Sequence, residues 1–205
     1  MIGENLKRNI LVTNMNVYDF DGTIYRDDST EDFYFYLLKN RPKVLKYLPN
    51  FLIDVLKYKI KAIDKTKMKE TFYRYLNCLK SGEVDALVAD FWDKNKSKLY
   101  SWYLEQKRSD DVIISASPRY LLEPICKELG IGTLLCSEVD KTNGDYHGLN
   151  CYGVEKVSRF YKEFPNGVID KFYSDSKSDL PLAKHAKEAY LVKKYDIVKP
   201  WVIND

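Results

Sequence analysis

Histidine is scarce in this chain, with two in 205 residues, His147 and His185. His147 sits beside Gly148 in an expected loop and His185 on an expected helix, so surface or packing roles suit both. The four cysteines, Cys78, Cys126, Cys136 and Cys151, lie far apart, with no Cys-x-x-Cys pair and no histidine at zinc-ligand spacing. A structural zinc site is thereby excluded, and buried reduced thiols in a reducing cytoplasm are expected. No run approaches the roughly 18 to 20 apolar residues that span a bilayer. Ile10-Leu11-Val12 follows Lys7-Arg8 but is interrupted by Thr13, Asn14 and Asn16, too short a run for a signal peptide. Glycine (9) and proline (7) are few, and neither an internal repeat nor a low-complexity linker is present. The length suits one cored domain, or a core domain carrying a modest insertion.

What is present is 45% hydrophobic and 14% aromatic, with 17 tyrosines, a composition that favours dense packing over disorder. The net charge of +3 is too small to imply a polyanion partner for the whole molecule. It is unevenly spread: residues 39–70 hold ten basic and three acidic side chains, net +7, leaving −4 elsewhere. A solvated helical face is the preferred reading, and a face toward an anionic substrate or membrane the sharper one.

Residues 1–14 read as a loose lead, and residues 15–18 as a strand stopping at Asp19-Phe20-Asp21-Gly22-Thr23. Helical patterns follow. Ser29 with Asp32 resembles a capping box; residues 42–59 form a helix bent at Pro49; the stripe from Met68 to Leu79 ends at Gly82; and Val84, Leu87, Val88, Phe91 and Trp92 recur on one face. Beyond residue 110 strands and helices alternate. Strands are expected at 112–114, 133–139, 168–174 and 189–192, a tight turn at Asn143-Gly144, and helices at 154–163, at 180–187 and from an N-cap at Ser117 to Gly130. The class is α/β, a Rossmann-like parallel sheet core flanked by helices, with an inserted α-helical bundle. The first strand must join that sheet, so residues 15–23 and 109–205 make the core and residues 24–108 the insertion.

Asp19 and Asp21, two residues apart where a strand ends, send two carboxylates to the edge at which open α/β sheets bind ligands. With an ordinary pKa of about 3.9, an aspartate at neutral pH can be a nucleophile or a metal ligand. Two adjacent carboxylates favour a divalent cation or a shared proton. Ser115 ends the second strand ahead of a helix N-terminus, a natural phosphate site. Asp175 and Asp179 follow the strand ending at Ser174 and suit a hard cation, while Lys156 could neutralise a transferred anionic group.

Asp19-Phe20-Asp21-Gly22-Thr23, Ile114-Ser115-Ala116-Ser117, Lys156 and Ser174-Asp175-Ser176-Lys177-Ser178-Asp179 resemble the four ordered motifs of the haloacid dehalogenase superfamily, closest to its phosphoserine-phosphatase-like branch. That resemblance implies a helical cap at 24–108 and a Mg2+-dependent phosphatase. Asp19 would attack phosphorus and Asp21 act as acid and base. Ser115, Ala116 and Lys156 would hold phosphoryl oxygens. Asp19, Asp175 and the Asp21 carbonyl would bind magnesium, with Asp179 steadying its waters. Asp21 sets the pattern apart from the halide-releasing members, which lack a second acid.

Gly22 stands where phosphoserine phosphatases carry serine, and Asp28 about where they carry a substrate-binding glutamate, so Asp28 is the candidate specificity residue of the cap. A small phosphorylated metabolite or a lipid head group remain open as substrates, as does a phosphotransferase sharing the same site. A non-catalytic anion- or nucleic-acid-binding module is the alternative of another class, although no nucleic-acid partner is expected. Residues 47–61, apolar with flanking lysines, are read first as cap core with a solvated basic face, and second as a membrane-interface contact.

Overall fold

A computed structural model of the chain describes residues 14–80, 82–193 and 197–203. The expected loose lead therefore lies, except for Asn14, outside the described residues. Strand β1 (Asn14–Tyr18) is followed by helices α1 (Ser29–Asn40), α2 (Leu48–Lys59), α3 (Lys65–Tyr73), α4 (Glu83–Asn95) and α5 (Ser101–Gln106), with 3-10 turns at Pro42–Tyr47 and Arg74–Cys78. Then come β2 (Val112–Pro118), α6 (Arg119–Glu128), β3 (Thr133–Ser137), α7 (Val154–Glu163), β4 (Val168–Ser174), the short α8 (Leu180–Ala183), β5 (Ala186–Lys193) and β6 (Ile197–Pro200).

The strands form one sheet in the order β3-β2-β1-β4-β5-β6, parallel except for β6. After β3 the chain crosses to the other side of β1, which makes the β1/β4 boundary the switch point where such sheets bind ligands. Alternation along the strands supplies two cores. Tyr18, Ile113 and Tyr173 face the helices of residues 24–108 together with α6. Val17, Val112, Ile114 and Phe172 face α7 and α8 around Phe160 and Leu182. Much of the tyrosine content lies in the first core: Tyr18, Tyr173 and Tyr190 stack across three strands at 4.8 and 4.9 Å, and Tyr103 meets Tyr18 edge-on at 5.0 Å.

Several expectations need correction. Helix α1 is capped by Asp28, which accepts from the N–H groups of Thr30 and Glu31, and not by a Ser29/Asp32 box. Gly82, at φ +80°, starts α4 instead of ending the helix before it, which closes in a 3-10 turn at Cys78. Pro49 lies in the first turn of α2, where proline needs no bend. Strand β2 continues through a register shift to Pro118, so α6 opens one residue later than a Ser117 cap requires. The helix expected to reach Lys187 stops at Ala183, because pairing with β4 claims the backbone from Ala186 onward. The sheet ends on β6, short and closed by Pro200, a residue suited to an edge. Finally, α2 is not core: none of its residues is buried.

Candidate active site

Strands β1, β2 and β4 run parallel and end at one edge, so Asp19, Ser115 and Asp175 arrive together. The turn after β1 closes on the Phe20 carbonyl, which accepts from the N–H groups of Thr23, Ile24 and Tyr25. Gly22 stands in that turn at φ +70°, and a Cβ there would lie 2.3 Å from Asp175 Oδ2. Glycine is thus required by both conformation and space. Thr23 is fully buried, and its Oγ1 accepts from the N–H of Asp175 at 2.9 Å, tying the first loop to the fourth.

Lys156 is 2% exposed and spans two carboxylates, donating to Asp19 Oδ1 at 2.8 Å and Asp179 Oδ2 at 2.7 Å. Asp179 also accepts from Ser174 Oγ at 2.8 Å. Burial works against the Lys156 charge, but Asp19 and Asp179 outweigh it and hold the ammonium above its ordinary range. Burial pushes Asp19 up to about 8, against the pull of Lys156 and with Asp179 and Asp175 adding to the rise.

Asp21 occupies a separate network. Its Oδ1 accepts from the N–H of Ser29 at 2.7 Å and its Oδ2 from Ser117 Oγ at 2.5 Å. Ser117 Oγ meets Thr30 Oγ1 at 2.9 Å, which links this acid to α1. Burial, then Asp28, raise Asp21 to about 7 despite these donors.

All of the sequence-predicted residues (Asp19, Asp21, Asp28, Ser115, Ala116, Lys156, Asp175 and Asp179) line one cleft of about 600 Å³. Lys65 and Lys69 line it as well, although the sequence offered them only as part of a basic stretch. Lys65 stands over the Tyr152 ring at 3.3 Å, and Lys69 Nζ lies 3.4 Å from the Ala116 carbonyl. Burial lowers Lys69, with Asp28 opposing and Lys65 adding. Ser29 and Ser117 entered the sequence reading only as cap or motif positions and Thr30 not at all, because nothing in a local pattern shows that Ser117 will turn to an acid 96 residues earlier.

The model of the haloacid dehalogenase-like hydrolase family matches residues 17–184. The chain belongs to the haloacid dehalogenase-like hydrolases.

Among solved structures, the hydrolase is similar to a protein of unknown function from Bordetella pertussis Tohama I, at 17% identity and TM-score 0.71, over 87% of this chain and 89% of that one. A phosphoserine phosphohydrolase-like protein from Francisella tularensis subsp. tularensis SCHU S4 aligns at 17% identity and TM-score 0.56, over 86% of each chain. A HAD family hydrolase from Salmonella enterica subsp. enterica serovar Typhi aligns at 12% identity and TM-score 0.53, over 85% of this chain and 61% of that one. These likenesses establish the shared α/β fold. No curated protein matches the sequence.

Magnesium is the metal implied by membership of the haloacid dehalogenase-like hydrolases. Among the described residues no group of three His, Cys, Asp or Glu is gathered to hold an ion by protein ligands alone. Magnesium needs no such cage, since it takes one or two carboxylates and keeps several waters. Asp19, Asp21 and Asp175 supply hard oxygen donors on one cleft wall, and burial lifts all three carboxyls, the condition a cation relieves. The donor set fits magnesium.

Proposed function

We propose that this hydrolase is a magnesium-dependent phosphomonoesterase working through a phosphoryl group carried on Asp19, with residues 24–108 as its cap. The observation that carries this reading is the pairing of Asp19 with Lys156 at 2.8 Å while a second acid, Asp21, faces the same cleft from its own hydrogen-bond network.

Asp19, whose carboxylate form is favoured by the Lys156 ammonium at 2.8 Å, attacks phosphorus and forms a P–O bond as the ester P–O bond breaks. The departing alkoxide takes the proton held by Asp21, whose value of about 7 suits an acid at neutral pH. A water then attacks phosphorus, gives its proton to Asp21, and breaks the bond to Asp19, releasing inorganic phosphate. Lys156 offsets charge on the phosphoryl oxygens, and Ser115 with the backbone at Ala116 orients them. Asp19, Asp175 and the Asp21 carbonyl would hold magnesium, which when bound neutralises charge on the transferred group. Asp179, already engaged by Lys156 and Ser174, serves best as the anchor that positions Lys156. Asp28 borders the cleft and acts on Asp21 through its charge.

The test is hydrolysis of p-nitrophenyl phosphate by wild type and Asp19→Asn. Activity that needs magnesium and disappears with EDTA and with the substitution is expected. Equal activity of the variant would overturn the mechanism.

A further inference from the structure

Next to the catalytic cleft lies a second cavity of about 420 Å³ whose walls are almost wholly apolar. Tyr34 and Leu38 of α1, Leu48 and Phe51 of α2, and Met68 and Phe72 of α3 line it. Phe51 and Phe72 pack at 4.9 Å. The two cavities share Asp28, Glu31 and Lys69 as wall residues, so a molecule with its phosphate at Asp19 can reach the apolar space by crossing this polar rim. A hydrophilic phosphate ester has no use for such a chamber, whereas an aliphatic chain gains by leaving water for it.

The helix forming one wall carries the second observation. While Leu48 and Phe51 are half-buried against the cavity, Leu52 (54%), Ile53 (50%), Leu56 (63%) and nearby Ile60 (77%) are exposed. A patch of this kind marks a surface that meets something apolar. Lys43, Lys46, Lys57, Lys59 and Lys61 flank it in the sequence, a pattern that matches an anionic lipid surface and sets two copies of the same face against each other.

Resting on the phosphomonoesterase reading, we propose that the substrate is a phosphomonoester with an aliphatic chain, lodged in the cavity between α1, α2 and α3 and taken from an anionic lipid surface on which the outer face of α2 rests.

Two measurements test this. The first follows kcat/KM for alkyl phosphates from ethyl to decyl, below their micellar concentrations, beside calorimetric binding of the matching alkyl phosphonates, which cannot be hydrolysed. Both should rise roughly fourfold per methylene until the chamber is full, and Met68→Trp or Leu38→Phe should flatten the rise by filling it. A flat series in both overturns the proposal and leaves the phosphatase reading intact. A rising phosphonate series without hydrolysis of any ester supports the chamber and sinks the phosphatase reading.

The second measures co-sedimentation with phosphatidylglycerol vesicles against phosphatidylcholine vesicles. Binding to the first only, lost in Leu52→Ser/Leu56→Ser, is expected. Failure to bind, or a solution dimer that this double variant dissolves, overturns the lipid-surface part.

Discussion

Lys156→Met removes the ammonium and keeps most of the buried stem. Asp19 and Asp179 then face each other across a site in which their side chains are 12% and 2% exposed, with no cation between them. Removing one member of a buried ionic cluster typically costs about 3–5 kcal/mol, because the remaining charges stay desolvated without compensation. For a chain of this size such a loss lowers the melting temperature by roughly 6–20 °C. Urea unfolding followed by tryptophan fluorescence reads the loss directly. Adding Asp179→Asn should restore much of it, so a double-mutant cycle should show strong coupling. The sign with pH follows from the raised carboxyl. Asp19 binds its proton more tightly folded than unfolded, so stability falls as pH rises from its ordinary value of 3.8 to about 8, and the deficit of the variant should shrink on acidification as the two carboxylates are neutralised. A loss below ~1 kcal/mol at neutral pH, or additive effects in the cycle, would refute the reasoning that this triad is a single electrostatic unit.

Other perturbations test separate links. Asp111 is 1% exposed, and burial raises it from 3.8 to about 6, which corresponds to at most ~3 kcal/mol. Asp111→Asn keeps an acceptor for the Arg108 N–H, so it should stabilise the protein above pH 6 by about 1–3 kcal/mol, with the gain vanishing near pH 4; urea titrations at both pH values decide. Gly22→Ala should sharply lower magnesium-dependent activity and reduce stability, because its Cβ meets Asp175 Oδ2 at 2.3 Å; a fully active variant would contradict the packing account. Ser117→Ala removes the hydroxyl donor to Asp21 and should lower kcat by roughly tenfold, with KM little changed. A KM effect alone would assign Ser117 to substrate binding.

Much of this arrangement is legible in the sequence because the chemistry sits where strands end. The spans 168–174 and 154–163 appear in the structure with those bounds, since a β-rich run between polar segments and a strongly amphipathic stretch each leave one interpretation. The α4 stripe is likewise buried at all five expected positions. What stayed hidden depends on where the helices of residues 24–108 settle. The apolar residues of α2 have the same local pattern whether they meet core or solvent, and here Leu52 and Leu56 meet solvent. The bulge in β2 carried Ser117 from an expected cap into contact with Asp21. Lys65 and Lys69 belong to the site only because α3 lies over the cleft, a placement that charge counting along the chain does not contain.

The most direct test of the central claim is chemical trapping of the phosphoryl group on the enzyme. Wild type would be mixed with magnesium and p-nitrophenyl phosphate, quenched in acid, reduced with borohydride and mapped by peptide mass spectrometry. Homoserine is expected in place of aspartate at position 19, and none when substrate is omitted. Turnover with position 19 unmodified, or reduction at a different carboxylate, would contradict Asp19 as the nucleophile.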